Sequence, residues 1–430
     1  MNPDTLFGQQ LRNSLETRRR QGSLLIPPSP PVPGTVDFGT NDTLSLSSSR
    51  VLSHEFLREI EKNSGFAIGS AGGRVGGGPS AYLTETENYI ASVHGAESAT
   101  YFNSGYEANV AFWSSIPKKG DVIIHDEKVH ASTNDGMRKG RASALIRFTH
   151  NDCDSFSESI KSACRKFPDI AAGKAVILFA VDSFYSISGD IVPIHRFVIT
   201  ASELLPHKNY AFVIDEAHSN GLVGPNGSGF ASFWGLEAEM AIRIHTFGKA
   251  LGVTGAVVLG SQDVKLALLN SARNLLFTTG PIFPVLAAIR ASYNLITGQE
   301  GEKRRESLQK NVLHFYRSLE GHPQLERVSR LGILRVPLLA GWEERPFQTP
   351  IVVVYTQDGK SSSLANELER QKYRVQQGGY PFVPRGLEGI RIMIHADNTE
   401  QEIEGLLQAI MAWSCAHAEA TTKAELRNKL

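Results

Sequence analysis

Cysteines, long apolar runs and net charge are all scarce in this chain of 430 residues. The three cysteines, Cys153, Cys164 and Cys415, show no CxxC spacing, which argues against a disulfide framework and a structural zinc site and fits a reducing compartment. The longest clean apolar run, 175–181, is far shorter than the roughly 20 residues of a membrane helix. The formal net charge is zero, so the basic footprint of a nucleic-acid-binding protein is missing.

The two ends of the chain carry weak signals of location. Residues 1–25 form a predicted basic amphipathic helix without a signal-peptide apolar core, and the proline-rich stretch 26–34 stops it. We interpret Arg18, Arg19 and Arg20 as a solvated helix face, with an entrance for an anionic substrate as the alternative. The final Asn428-Lys429-Leu430 resembles the peroxisomal S-K-L signal, so cytoplasmic and peroxisomal locations both stay open.

Strand-like and helix-like segments alternate through most of the chain. The strand candidates are 98–102, 121–126, 175–182, 210–218, 242–247 and 256–261, and helical patterns lie between them, for example at 82–95 and 154–167. This alternation predicts an α/β fold with a mainly parallel sheet covered by helices on both faces. Ligands of such sheets bind at the carboxyl ends of the strands.

The pattern changes near residue 296, where a charged helix precedes a shorter mixture of strands and a final helix. We therefore expect three parts: an N-terminal helix and arm at 1–50, a large domain at 51–295 and a small C-terminal α+β domain at 296–430.

Three familiar motifs are absent or misleading. Residues 215–218 spell the DEAH box of helicases, but no GxxxxGK[ST] phosphate loop exists, since Val354 stands where its first glycine is required. No GxSxG elbow is present, which argues against an α/β-hydrolase. No GxGxxG follows a strand, which argues against a dinucleotide fold.

One lysine stands in an unusual place. Lys249 follows a predicted strand in the segment HTFGKALGVTGAVVLGS (245–261), which is otherwise small, apolar and rich in glycine. Other polar groups also follow predicted strands, namely Asp215, His218, His130, Ser132 and the helix start at Ser104, Gly105 and Tyr106. Because carboxyl ends of parallel strands share one edge of a sheet, we expect these groups to converge.

This set matches the needs of a pyridoxal phosphate site. A lysine bonds the cofactor aldehyde, a carboxylate keeps the pyridine nitrogen protonated, and a flat side chain stacks on the ring. Amide groups at a helix start favour the phosphate. Taken singly, each residue has a simpler explanation: a paired buried lysine, a turn aspartate, a satisfied loop histidine or a helix cap. Their joint order favours the cofactor site.

At these residues the sequence resembles the α-oxoamine synthases, fold-type I pyridoxal-phosphate enzymes such as 8-amino-7-oxononanoate synthase and serine palmitoyltransferase. The resemblance covers about residues 10–413. It rests on segments in the family's order, namely NDTLSLS (41–47), GSAGGRVGGG (69–78), FNSGYEAN (102–109), HDEKVHAS (125–132), VDSFYSISGDIVP (181–193), IDEAHSNGLVG (214–224), HTFGKALGVTG (245–255) and FTTGPIFP (277–284).

The resemblance implies a role for each matching residue. Lys249 would bond the cofactor, Asp215 would hold the pyridine nitrogen, His218 would bond the ring's phenolic oxygen and His130 would stack on the ring. Those four are the expected catalytic residues. The further cofactor contacts implied are Ser104, Gly105, Tyr106, Ser186 and Thr246, with Thr278 and Thr279 reaching the phosphate from a second subunit of a homodimer. The implied substrate contacts are Arg391, for the amino-acid carboxylate, Asn41 and Arg74.

The sequence departs from the biotin-pathway members in places that concern the acyl substrate. Gly379, within GGYPFVP (378–384), stands at the position of an arginine, so an acyl chain ending in carboxylate loses a candidate partner. The segment 79–87 has no histidine and Thr43 replaces a tyrosine. These changes fit a member recruited to a specialised lipid, polyketide or peptide pathway.

Three functions follow as hypotheses. The first is decarboxylative condensation of a small amino acid, alanine favoured, with an acyl thioester such as a pimeloyl thioester, in biotin or specialised metabolism. The second is transamination of a lipid- or polyketide-derived carbonyl by the same residues. The third is a non-catalytic partner subunit, against which the retention of Lys249, Asp215 and His218 together argues.

Overall fold

The computed structural model describes residues 5–27, 30–77, 80–357, 359–379, 383, 386 and 388–427. The strands are, in chain order, β1 (Val36–Asp37), β2 (Ser98–Phe102), β3 (Val122–Asp126), β4 (Ala144–Phe148), β5 (Ile177–Asp182), β6 (Tyr210–Asp215), β7 (Met240–Thr246), β8 (Ala256–Gly260), β9 (Leu334–Arg335), β10 (Ile351–Thr356), β11 (Tyr373–Arg374), β12 (Gln376–Gly378) and β13 (Gly389–Met393).

The α-helices are α1 (Leu6–Arg20), α2 (Arg50–Lys62), α3 (Ala81–Val93), α4 (Gly105–Ser115), α5 (Ala131–Lys139), α6 (Cys153–Lys166), α7 (Pro168–Ala171), α8 (Ile194–Leu204), α9 (Phe230–Phe233), α10 (Gln262–Ser271), α11 (Arg273–Leu276), α12 (Phe283–Ile296), α13 (Gln299–Glu320), α14 (Leu325–Arg330), α15 (Ser361–Arg370) and α16 (Glu400–Arg427).

The chain forms two compact units. The larger contains residues 41–309 and 395–397, and the smaller contains the described residues of 1–40, 310–394 and 398–430. These units divide the chain near residues 40 and 309, and the predicted domain division at 50 and 295 stays a prediction. Within the smaller unit, β1 joins β11 as a parallel two-stranded sheet although the two strands are far apart in the chain.

A seven-stranded sheet in the order β2-β8-β7-β6-β5-β3-β4 forms the centre of the larger unit. β8 runs antiparallel to β2 and β7, while the remaining neighbours pair in parallel. The prediction of an α/β fold with a mainly parallel sheet is confirmed. The sequence analysis missed β4, whose burial alternates because it lies at the edge of the sheet.

Successive residues of the central strands cover the two faces of this sheet. Leu178 and Val213 belong to a core cluster with Phe112 and Trp113 of α4 on one face. On the other face, a row of phenylalanine rings packs together: the centroids of Phe156 and Phe197 lie 4.4 Å apart, and those of Phe179 and Phe212 lie 4.8 Å apart. This burial on both faces explains why the central strands are continuously apolar.

The smaller unit has an antiparallel sheet in the order β12-β13-β10-β9. Its N-terminal helix α1 ends at Arg20, before the expected end at residue 25, and none of its residues is buried. None of the described helices combines the length and apolarity needed to cross a lipid bilayer. The tripeptide 428–430 lies outside the described residues.

Candidate active site

The carboxyl ends of β5, β6 and β7 meet a cavity of about 230 Å³ within the larger unit. This volume lies below the usual range of about 300–1,000 Å³ for drug-sized ligands and suits one substituted ring with a phosphate. Most of the site residues expected from the sequence line it, namely Asn41, Ser104, Gly105, Tyr106, His130, Ser186, Asp215, His218, Thr246 and Lys249.

Lys249 lies in the tight connection between β7 and β8. The N–H of Phe247 donates to the carbonyl of Gly255 over 2.9 Å, and the N–H of Gly252 donates to the carbonyl of Lys249 over 2.9 Å. Gly255 has a φ of +115°, and a Cβ atom there would come within 2.8 Å of the Tyr101 ring. Gly252, with a φ of +67°, and Gly255 are therefore required by the turn, which brings Lys249 to the cavity.

Asp215 is the last residue of β6, and each oxygen of its carboxylate accepts a hydrogen bond. The side-chain N–H of Asn109 donates to Oδ2 over 2.7 Å, and the backbone N–H of Ala217 donates to Oδ1 over 2.9 Å. Donors of this kind stabilise a charged carboxylate. Asp215 is thus suited to hold a protonated ring nitrogen, and Asn109 is a site residue that the sequence analysis missed.

His130 caps the N-terminus of α5 beside the cavity. Its Nδ1 accepts from the backbone N–H of Ser132 over 3.2 Å and lies 2.7 Å from the Ser132 hydroxyl. Burial lowers the pKa of His130, and the charge of Lys249 lowers it further, while Asp215 opposes both effects. A neutral, fixed imidazole is suited to stacking on a cationic ring.

The N-terminus of α4 closes another side of the cavity. Ser104 caps the helix, since its hydroxyl accepts from the N–H of Glu107 over 3.2 Å. A Cβ atom at Gly105 would clash with the side chain of Thr246. The close approach of helix start and strand end places backbone amides and a hydroxyl together, an arrangement that favours a phosphate.

Several predicted residues do not line this cavity. Arg74 is buried and forms an ion pair with Glu87, with 2.5 Å between Nη2 and Oε1, and it also donates to the carbonyl of Tyr101. Its guanidinium therefore connects the glycine-rich segment to β2, and its expected role in substrate binding has no support in this position. Thr278 and Thr279 also lie outside the lining, and Thr279 forms an isolated β-bridge with Gly73.

Arg391 lies on β13 of the smaller unit, where its Nη1 donates to Gln376 Oε1 over 2.9 Å. Burial lowers its pKa to about 10. Its assignment to the amino-acid carboxylate stays a prediction.

The segment 215–218 divides between the cavity and the core. Asp215, Ala217 and His218 line the cavity, whereas Glu216 is fully buried and contacts Nε2 of His245. The N–H of Ala231 donates to Glu216 over 2.6 Å, and burial raises the pKa of Glu216. Glu216 is thus part of a buried hydrogen-bond network in the core.

A second charged cluster follows β3 and β4, outside the cavity lining. His150 bridges two carboxylates, with Nδ1 3.0 Å from Asp126 and Nε2 2.7 Å from Asp190. Burial lowers the pKa of His150, but its hydrogen bonds to both carboxylates outweigh that effect and the net shift is upward. Burial also raises the pKa of Asp190, yet the bond from His150 and its other partners bring it to about 2.

This cluster predicts a pH-dependent stability. A histidine with a raised pKa stabilises the fold fully below its unfolded value of about 6.5 and loses this contribution as the pH rises through the folded pKa. The lowered pKa of Asp190 contributes above about 4 and is lost only toward pH 2. We expect His150→Gln to lower the free energy of unfolding by about 2 kcal/mol near pH 6 and by less at pH 9.

Denaturant unfolding across this pH range measures the effect. His207→Gln, at an exposed position, is the matched control and should leave the unfolding free energy unchanged. A difference between wild type and His150→Gln that does not vary with pH would contradict the prediction.

Comparisons with known proteins agree with this geometry. The sequence model of the family "Aminotransferase class I and II" matches residues 33–410. The chain is 41% identical over 375 residues to the aminoacyl transferase sphA of Byssochlamys spectabilis, covering 87% of this chain and 80% of that protein. It is 38% identical over 414 residues to the 8-amino-7-oxononanoate synthase of Emericella nidulans, covering 94% and 96%.

Solved structures show the same fold. The serine palmitoyltransferase of Sphingomonas wittichii superposes with a TM-score of 0.75 at 22% identity, covering 97% of this chain and 99% of that one. The 8-amino-7-oxononanoate synthase of Francisella tularensis superposes with a TM-score of 0.66 at 24% identity, covering 91% and 99%.

Proposed function

Because the chain belongs to the class I and II aminotransferase family and, within it, to the α-oxoamine synthases, we propose that it condenses a small amino acid with an acyl thioester. Alanine is the favoured amino acid. The observation that carries the proposal is the convergence of Lys249, Asp215 and His130 on one cavity in a chain of this family. The protein is a pyridoxal-phosphate-dependent transferase, as its family indicates.

The residues of the cavity fit this cofactor. Pyridoxal phosphate, when bound, supplies an electron sink for the negative charge that develops on the amino-acid Cα. Asp215, fixed by Asn109 and Ala217, would hold the proton on the ring nitrogen. His130 would stack on the face of the ring, and His218 would form a hydrogen bond with the phenolic oxygen. The amides at Gly105 and Tyr106, with Thr246, would bind the phosphate.

Lys249 would have two tasks in the reaction. It would bond the cofactor aldehyde at rest and, once the amino acid has taken its place, accept the Cα proton. A carbon–carbon bond would then form between Cα and the acyl carbonyl carbon as the carbon–sulfur bond breaks and the thiol leaves. The amino-acid carboxylate would depart as carbon dioxide, and a proton would take its place on Cα. Arg391 would bind that carboxylate beforehand. The product is an α-aminoketone.

The acyl group is the less constrained partner. Gly379 offers no charge where the biotin-pathway members have an arginine, although the neighbouring residues 380–382 lie outside the described part of the chain. This supports an acyl chain with an apolar end in a specialised pathway, as the alternative to the pimeloyl thioester of the biotin pathway.

We also propose a homodimer with shared active sites. Ile68, Val75, Phe277 and Ile282 are exposed by 72, 50, 73 and 43%. The two segments that carry them are joined by the bridge between Gly73 and Thr279, and exposed apolar side chains on neighbouring segments favour an interface. A second copy on this surface would bring Thr278 and Thr279 to the neighbouring cavity. Sedimentation equilibrium is expected to give twice the 47.0 kDa chain mass, and a monomer at micromolar concentration would refute the proposal.

The test of the function is a coupled product assay on the purified protein with pyridoxal phosphate. Alanine, glycine and serine are each offered with a pimeloyl or a heptanoyl thioester of the same chain length. We expect carbon dioxide and free thiol to appear in equal amounts, fastest with alanine. Since Gly379 provides no cation, the heptanoyl ester should be used at least as well as the pimeloyl ester.

The rival functions give different results in the same assay. Formation of a keto acid without thiol release would establish transamination instead. Absence of a cofactor absorption band after addition of pyridoxal phosphate would refute the enzyme and leave a partner subunit. A reaction without the acyl thioester measures the background release of carbon dioxide.

A further inference from the structure

A hairpin at residues 183–192 carries Ser186, one of the expected cofactor contacts, to the cavity. Phe184 and Ile191 form an antiparallel bridge across this hairpin, and Ile187 beside its tip is 45% exposed. A short two-stranded hairpin is marginally stable by itself. The position of Ser186 therefore depends on what anchors the hairpin to the rest of the unit.

Both strands of the hairpin contact the loop that follows β4. Nε2 of His150 lies 2.7 Å from Oδ2 of Asp190, and the side-chain N–H of Asn151 donates to the carbonyl of Ile191 over 3.1 Å. The ring of His150 also packs edge-on against that of Tyr185, with 4.4 Å between the centroids. These three contacts anchor the hairpin.

The other ring nitrogen of His150 faces the turn that leads to His130. Nδ1 of His150 lies 3.0 Å and 3.1 Å from the two oxygens of Asp126, the last residue of β3. Asp126 also accepts from the backbone N–H groups of Lys128 over 2.8 Å and of Asn151 over 2.9 Å. Asp126 therefore fixes the path of the chain from β3 toward His130, which lines the cavity.

The charges of this cluster complement one another. Both ring nitrogens of His150 face carboxylate oxygens, and only the protonated imidazole has two N–H donors. Nζ of Lys128 lies 3.5 Å from Oδ2 of Asp190. The side chain of Asp126 is fully buried and that of His150 is 12% exposed, so two anions meet two cations largely out of water. Hydrogen bonds between charged partners are stronger and more directional than neutral ones.

We propose that His150 is a positioning residue of the cofactor site, which joins the turn before His130 to the hairpin of Ser186 and so keeps both side chains in place at the cavity. His150 is not among the described residues that line the cavity, so it acts through Asp126 and Asp190. The inference rests on the proposed cofactor site but on no particular acyl substrate.

Equilibrium titration of the cofactor-free full chain with pyridoxal phosphate tests this role. His150→Gln keeps hydrogen-bond donors on a single nitrogen, and Asp190→Asn removes the negative charge from the hairpin. We expect each variant to bind the cofactor about five- to tenfold more weakly than wild type, because a hydrogen bond between charged groups is lost. The double variant should bind within about twofold of either single variant, since both substitutions break the same contact.

Ile160→Val is the matched control for a loss of stability. Ile160 is fully buried on α6, outside the cavity lining, so the loss of one methyl group should lower the thermal stability and leave the cofactor affinity at its wild-type value. Wild-type affinity in His150→Gln and Asp190→Asn would overturn the proposal, since the cluster would then serve stability alone. Fully additive losses in the double variant would overturn it as well.

Hydrogen exchange of the cofactor-free protein is the second readout, and Asp190→Asn covers the case in which His150→Gln does not fold. Amides of residues 183–192 should exchange about tenfold faster in Asp190→Asn than in wild type, whereas in Ile160→Val they should match wild type. Equal exchange in all three proteins would refute the proposal. Neither readout uses an acyl thioester, so a failed condensation assay with cofactor binding intact would refute the proposed function alone.

Discussion

Lys249→Ala is expected to lower kcat by about 10³-fold or more, because the variant loses both the group that bonds the cofactor and the base for the Cα proton. Its absorption spectrum should lose the band of lysine-bound cofactor. Pyridoxal phosphate should still bind without a covalent bond, since Asp215, His130 and the amides at Gly105 do not depend on the lysine. Steady-state kinetics and absorption titration measure the two effects separately.

Lys303→Ala provides the control for this substitution. Lys303 is exposed on α13, and its loss should leave turnover, spectrum and cofactor affinity at wild-type values. Turnover of Lys249→Ala within tenfold of wild type would show that the lysine does not perform the chemistry proposed for it.

Asp215→Asn should cause the second-largest loss. An amide cannot supply the negative charge that holds a proton on the ring nitrogen, so the ring becomes a poorer electron sink. We expect kcat to fall by about 10²- to 10³-fold, comparable to the loss of one preorganised electrostatic group at a reacting centre. The Lys249-bound cofactor should still form, which distinguishes this variant from Lys249→Ala.

Asn109→Ala is a milder substitution that tests the same carboxylate group as Asp215→Asn. It removes one of the two hydrogen bonds to the Asp215 carboxylate and leaves the bond from Ala217 in place. The loss of one hydrogen bond to a charged group predicts a decrease of about tenfold in kcat. A turnover in Asp215→Asn equal to that in Asn109→Ala would contradict the assigned role of the charge.

Local sequence context was sufficient to predict the site residues that lie at the carboxyl ends of strands. Asp215 and Lys249 stand at or just after apolar runs that predict buried strands, and parallel strands bring their carboxyl ends to one edge. The structure places Asp215, His218 and Lys249 on one cavity, whereas Ser132, expected there as well, is not one of its lining residues. His130 and Ser104 belong to the same group, since each lies between a strand and a helix.

The contacts of other residues could not be predicted, because their partners are distant in the chain. Asp182 also ends an apolar run, yet a single aspartate after a strand is usually a turn residue, and only the register between β5 and β6 places it opposite Asp215. Arg74 was expected at the substrate by resemblance, but Glu87 of α3 binds its guanidinium. A buried ion pair of this kind cannot be inferred from spacing, because its two members lie on different elements.

The sequence by itself determined the α/β class, the edge of the sheet where the chemistry gathers and the identity of the lysine, because strand periodicity and turn composition are local properties. Tertiary structure alone decided the reversed direction of β8, the edge position of β4 and the membership of the described residues before 41 in the smaller unit. It also decided the pairing of Asp182 with Asp215. These features arise from hydrogen bonds and burial between residues far apart in the chain, which no local pattern encodes.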